Sequence, residues 1–199
     1  MSRILTLIAL APVAIITSLG ACSGEGSESS PTEAATTSTP EPTKPVDASS
    51  AAVPGAGGRF LTLEGLGPLR LGQAVPDGSS WTERGAQASE TCRVVASPDY
   101  PGVYVIAEQG KVRRISASEG ASVRTVEGIG PGSTRKQVDE AFPGFRESPH
   151  KYVSGGKYLT APNAESGDPA VRMELSPSGK VTVLHVGMMP QLGYVEGCS

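Results

Sequence analysis

The chain has 199 residues, with 17 Lys and Arg against 20 Asp and Glu, a formal net charge of −3, and 38% hydrophobic residues. Bases and acids are equal in number over 59–199, so the acidic excess comes from the preceding segment, and a nucleic-acid surface, which needs a basic surplus, is not expected. With two His and three Cys there is little material for a metal centre, and no metal or cofactor is expected.

Met1-Ser2-Arg3 is a short, positively charged start. Residues 4–19 form an apolar run broken only by Thr6, Pro12, Thr17 and Ser18. The run is shorter than the roughly 20 residues a helix needs to cross a bilayer, and its flanks have the pattern of a signal peptide. It ends on Leu19-Gly20-Ala21-Cys22, which resembles the lipobox of bacterial lipoproteins. That resemblance implies cleavage of residues 1–21 and acylation of Cys22. It also implies a partner, the membrane, reached through N-terminal lipid, and a location on the extracytoplasmic face of the cell membrane. Two or more acyl chains anchor stably where one does not. The alternative is an ordinary cleaved signal peptide with Cys22 a free thiol.

Residues 22–58 follow as a Ser-, Thr-, Pro-, Ala-, Gly- and Glu-rich segment without an aromatic. Such a composition buries too little apolar surface to offset the entropy of ordering and predicts a disordered stalk. As a coil it spans about 33 Å, and fully stretched about 110 Å. The run 36–43 is either a plain spacer or a carrier of O-linked sugar.

Residues 59–199 have the size of one globular domain. With Cys22 lipidated, Cys92 and Cys198 remain. In an exported chain an even pair reads first as a disulfide, with two buried thiols or a metal pair as alternatives. A bridge closing a loop of about 100 residues is assigned roughly 4–5 kcal/mol by chain entropy.

In chain order, 72–85 is interrupted by Pro76 and Gly78 and predicts a short or irregular helix, with Trp81 packing inward. Strands are expected at 91–96, 103–108 and 111–118. After Gly130-Pro131-Gly132, residues 133–142 read as a helix: Ser133 or Thr134 caps it, Val138 and Phe142 form an i,i+4 apolar pair, and Pro143-Gly144 stops it. Strands are then expected at 151–154, 157–161, 170–176 and 180–187. Gln109-Gly110, Gly155-Gly156 and Ser178-Gly179 are hairpin turns between them. The fold class is α+β: antiparallel sheet with one or two short helices.

Glu64-Gly65-Leu66-Gly67-Pro68 recurs as Glu127-Gly128-Ile129-Gly130-Pro131, and Gly110-Lys111-Val112 recurs as Gly179-Lys180-Val181 in the same order. This predicts two tandem helix-plus-hairpin repeats, 59–121 and 122–199. The stretch from Gly130 to Val138, with the strand pair 170–187, is similar to the β-lactamase-inhibitor-protein and BamE-like (SmpA/OmlA) families. The resemblance implies a binding role and carries over no catalytic residue.

Other patterns have simpler readings. Ser133-x-x-Lys136 and Ser154-x-x-Lys157 match the Ser-x-x-Lys element of penicillin-recognising enzymes, but capping and turn roles explain both, and the partner motifs are missing. The Gly-Lys pairs 110–111, 156–157 and 179–180 lack the remaining phosphate-loop residues. His150 and His185 show no ligand spacing. His185 is expected to pack on a strand face shared with Val181 and Val183. Asp139 and Glu140 diverge on the helix, and Arg113, Arg114 and Arg124 with Lys111 form a local basic cluster, read first as a solvated strand, with a binding patch as the alternative. Tyr100, Tyr104, Tyr152, Tyr158 and Tyr194 divide between core, rim and a candidate recognition face. The expected function is non-catalytic binding of an envelope protein or wall component. The alternatives are an inhibitor or assembly factor of an envelope enzyme, or a carrier of a small apolar ligand with its cavity between helix and sheet.

Overall fold

The computed structural model describes residues 60–87 and 89–198. The signal peptide 1–21, Cys22 and the stalk 22–58 lie outside the described residues.

These residues form two antiparallel sheets, one α-helix and two 3-10 turns. The small sheet is β1 (Leu61–Thr62), β2 (Gly65–Leu66) and β3 (Leu69–Arg70). The large sheet has eight strands. β4 (Thr82–Glu83), β5 (Cys92–Ala96), β6 (Val103–Glu108) and β7 (Lys111–Ala117) come from the first half. β8 (Arg146–Pro149), β9 (Lys157–Thr160), β10 (Ala170–Leu175) and β11 (Val181–Gly187) come from the second. The order is β4-β5-β6-β7-β11-β10-β9-β8. Each half is therefore a four-stranded meander, and the last strands of the two halves pair at the centre, Val186 opposite Ile115.

Helix α1 (Arg135–Ala141) carries a capping box: the Thr134 hydroxyl accepts from the Gln137 N–H, and the Gln137 side chain accepts from the Thr134 N–H. Its one buried residue, Val138, packs into the core with Leu61, Leu66, Leu69 and Trp81 against the large sheet. Val171, Met173 and Leu175 of β10 face this core, as do Leu184 and Val186 of β11 and Ile115 and Ala117 of β7. The period-two pleat sends Arg172, Glu174, His185 and Ser116 to the opposite face.

The loops correct several expectations. The first half has no helix, because Pro76 and Gly78 break the pattern and the chain turns into the short strand β4 instead. Trp81 is buried and stacks on Tyr100, ring centroids 5.5 Å apart. Residues 151–154 are not a strand. The partner of β9 is Arg146–Pro149, so Gly155-Gly156 ends a longer loop in which His150 Nδ1 accepts from the Tyr152 and Val153 N–H groups. A bulge beside Leu175 pairs Val181 with Leu175 and Val183 with Glu174. Val181 is thereby turned into the core, away from the face of His185. The Gln109-Gly110 turn has positive φ at both residues, 52° and 72°, as a two-residue hairpin between β6 and β7 requires.

The second face of the sheet is crossed by the C-terminal segment. Its 3-10 turn Gln191–Gly193 buries Leu192 among Ala161, Ala164 and Ala170. The Arg114 guanidinium donates to the carbonyls of Gln191 and Tyr194, and Arg172 donates to that of Gly193. A disulfide joins Cys198 to Cys92 of β5, with Cα atoms 6.0 Å apart.

Candidate functional site

Where the chain enters the domain, the residues around Phe60 run parallel to those around Arg124, and the Leu61 N–H donates to the Arg124 carbonyl at 2.8 Å. Each arm then turns away through its glycine block. Gly65, with φ +142°, cannot carry a side chain, since a Cβ would lie 2.0 Å from the Leu69 carbonyl oxygen. The diverging arms and the end of the sheet leave an open groove of about 420 Å³ between them.

The floor and walls are Leu61, Phe142, Phe145, Ala161, Ala170, Val171 and Val186, with Asn163 the one polar side chain among them. Phe142 and Phe145 stack at 5.3 Å just after α1. The mouth is formed by Thr62-Leu63-Glu64 from one arm and Thr125-Val126-Glu127 from the other. These segments continue directly into the two Glu-Gly blocks, so the recurring pattern extends to Thr-apolar-Glu-Gly in both halves. Leu63 is 44% exposed and Val126 68%, although both are large aliphatic side chains. Among the described residues no Lys, Arg or His lines the groove. The hydrogen bond to the Thr62 hydroxyl, with the Glu64 backbone N–H and Arg70 adding to it, holds Glu64 below its ordinary value.

The two halves correspond in a second place. The Gly72 N–H donates to the Val112 carbonyl and the Val112 N–H to the Gln73 carbonyl; the Gly132 N–H donates to the Val181 carbonyl and the Val181 N–H to the Ser133 carbonyl. Each half thus ties the turn after its glycine block to the strand opened by its Gly-Lys-Val.

On the far face of the sheet the structure joins two histidines that sequence spacing left apart. His150 Nε2 and His185 Nε2 each lie 3.1 Å from an oxygen of Glu174, and His185 Nδ1 lies 2.8 Å from the Ser116 hydroxyl. His150 Nδ1 already accepts two backbone N–H groups, so its proton sits on Nε2 and is donated to Glu174. Burial pushes His185 down to about 4; the Glu174 hydrogen bond opposes this and Arg114 reinforces it. Burial raises Glu174, but the hydrogen bonds from His185 and His150 outweigh it and hold the carboxyl at about 2. Ser, His and Glu are the residue types of a nucleophile, base and orienting acid. Here Ser116 is 0% exposed and His185 2%, and both lie within the strand pair β7–β11. Among the described residues no group of three or more His, Cys, Asp and Glu is arranged to hold a metal ion.

The remaining candidates take local roles. Ser133 Oγ accepts from the Gly130 N–H, while Lys136 pairs with Glu140 and Arg135 with Asp139 along α1. Ser154 is exposed in the loop before β9. The basic strand is corrected most: Arg114 is 1% exposed and holds the C-terminal segment. Tyr158 is buried between the His150 ring and the Arg172 guanidinium, which sits 4.0 Å over its ring. Tyr152 is exposed beside Lys151, and Tyr100 belongs to the core, so the tyrosines form no single face. Sequence reasoning did not find the groove. Its one trace in the sequence is the Thr-apolar-Glu-Gly pattern occurring twice. No protein-family model, curated protein or solved structure matches the chain.

Proposed function

We propose that the protein is a lipid-anchored, non-catalytic binding protein of the cell envelope. In this reading Cys22 carries the anchor, residues 22–58 are the stalk, and the domain takes a small apolar ligand into the groove between its two arms. The groove carries the proposal. Its volume of about 420 Å³ falls in the range of small-molecule sites, about 300–1,000 Å³, and its walls are aliphatic and aromatic with a few polar groups at the mouth. Among the three expected roles it favours the carrier. An inhibitor or assembly factor needs a contact of about 800 Å² on its own surface, and the large exposed apolar side chains are few. A hydrolytic reading is disfavoured by the burial of Ser116 and His185.

We further read the domain as two tandem repeats, 59–121 and 122–199. The mirrored strand order, the doubled Thr-apolar-Glu-Gly pattern and the paired hydrogen bonds at Val112 and Val181 support this. The groove then lies where the entry arms of the repeats meet.

Two measurements test the function. Cys22→Ser is expected to release the protein from membranes, and retention with unchanged mass would refute the anchor. Native mass spectrometry of the protein purified from source membranes is expected to show an extractable apolar molecule bound one to one. Leu63→Glu with Val126→Glu, both at exposed positions, should abolish it. Absence of both a bound molecule and any binding of the neutral dye Nile red would refute the carrier reading.

A further inference from the structure

The groove is apolar inside and acidic at its mouth, and the acids come in a matched pair. Glu64 and Glu127 are the corresponding residues of the two arms, both exposed and both lining the groove. Neither neighbouring arginine lines the groove itself. Arg124 donates to the Gly128 carbonyl and the Ser133 hydroxyl. Arg70 donates to the Gly67 carbonyl and lines an adjoining shallow cleft with Glu64 and Asp168, so its charge partly offsets Glu64 and leaves the mouth with a net negative charge. Building on the binding reading above, we infer that the groove selects amphiphiles with a cationic head, taking the alkyl chain against Phe142, Phe145, Val171 and Val186 and holding an ammonium group between Glu64 and Glu127.

The physical argument is one of sign and solvent. The apolar walls attract any alkyl chain in proportion to the area buried and do not distinguish one head group from another. The head stays at the mouth, where two carboxylates attract an ammonium and repel a carboxylate or phosphate. Both acids are solvated, so each contributes weakly and the discrimination is screened by salt. Two such charges acting in opposite directions on opposite heads give a selection of about ten-fold at low ionic strength.

The test uses three ligands with one chain and three heads: decylammonium, decanol and decanoate. Each is titrated into the oxidised mature chain, residues 22–199, and binding is read from the NMR amide shifts of Thr62, Val126 and Val171. Decylammonium is expected to bind about ten-fold more tightly than decanoate, with decanol between them. In Glu64→Gln with Glu127→Gln the three affinities should converge while that of decanol stays unchanged, and about 0.5 M salt should have the same effect on the native chain. Equal affinities for all three in the native chain would overturn the charge selection and leave the groove standing as an apolar site. If none of the three moves the groove amides, the binding reading falls and the selection falls with it.

Discussion

At the residue scale the chain concentrates its buried polarity on one face of one sheet. Glu174 is held between two imidazoles, His185 is kept neutral by burial, and Arg114 and Arg172 lie beside them, all donating to or accepting from defined partners. A stability profile with a definite sign follows. The ordinary His value is 6.5 and that of His185 about 4, so between those pH values the unfolded chain takes up a proton that the folded chain refuses. Glu174 acts in the same direction lower down: its stabilisation is complete above 4.5 and is lost as the pH falls towards 2. Urea unfolding is therefore expected to show stability falling by about 3 kcal/mol between pH 7 and 4. His185→Gln should flatten that part of the profile, since the groups facing it from β7 and β10 (Arg114, Ser116, Arg172 and Glu174) remain. A native profile that is flat between pH 7 and 4 would contradict the buried neutral imidazole. None of this was legible in the sequence, because His150, Glu174 and His185 are far apart in the chain and only the β10–β11 register and the loop before β9 bring them together.

At the element scale local rules predicted well where the chain has strong punctuation. The strands expected at 103–108, 111–118 and 170–176 lie within a residue of those observed, because alternating apolar residues are bounded there by turn residues. Helix α1 was equally legible, with its cap, its apolar pair and its stop all present in sequence. Thr134→Ala removes a hydroxyl that accepts one otherwise unpaired N–H, and should cost about 1 kcal/mol, read as a fall in Tm of about 3 °C. Thr134→Ser should restore most of it, and equal stability of the Ala and Thr chains would show that the cap does not matter. The missed elements have a common cause. β1, β2, β3 and β4 are two-residue strands set by pairing with neighbours, too short to show a period. The edge strand β8 contains Arg146, Glu147 and Pro149, a composition that protects an exposed edge and therefore does not resemble a strand. It is held by its ladder to β9, with exposed ion pairs from Glu147 to Lys157 of β9 at 3.2 Å and to Arg135 of α1 beside it.

At the scale of the whole molecule the domain is closed by its two ends. Its entry arm forms one side of the groove, and its last residues cross the far face of the sheet to the disulfide at Cys92. The bridge spans 106 residues, so its removal restores a large amount of freedom to the unfolded chain. Cys92→Ser with Cys198→Ser is expected to lower unfolding free energy by about 2–4 kcal/mol in urea titrations. The amides of the two arms, Thr62 and Val126, should be unaffected, whereas that of Ala170, which lines the groove and packs against Leu192 of the C-terminal segment, should shift; a loss of arm structure on reduction would show that the disulfide also holds the mouth of the groove. Sequence alone determined the composition of each part, the α1 helix, most long strands and the recurrence of the glycine blocks, because all of these are written in neighbouring residues. Only the tertiary structure decided that Thr62-Leu63-Glu64 faces Thr125-Val126-Glu127 across an apolar groove, that Arg114 is buried, and that two distant histidines share one carboxylate. Those features depend on the order and register of strands from both halves, which is settled by the simultaneous burial of one continuous core and not by any local stretch of chain.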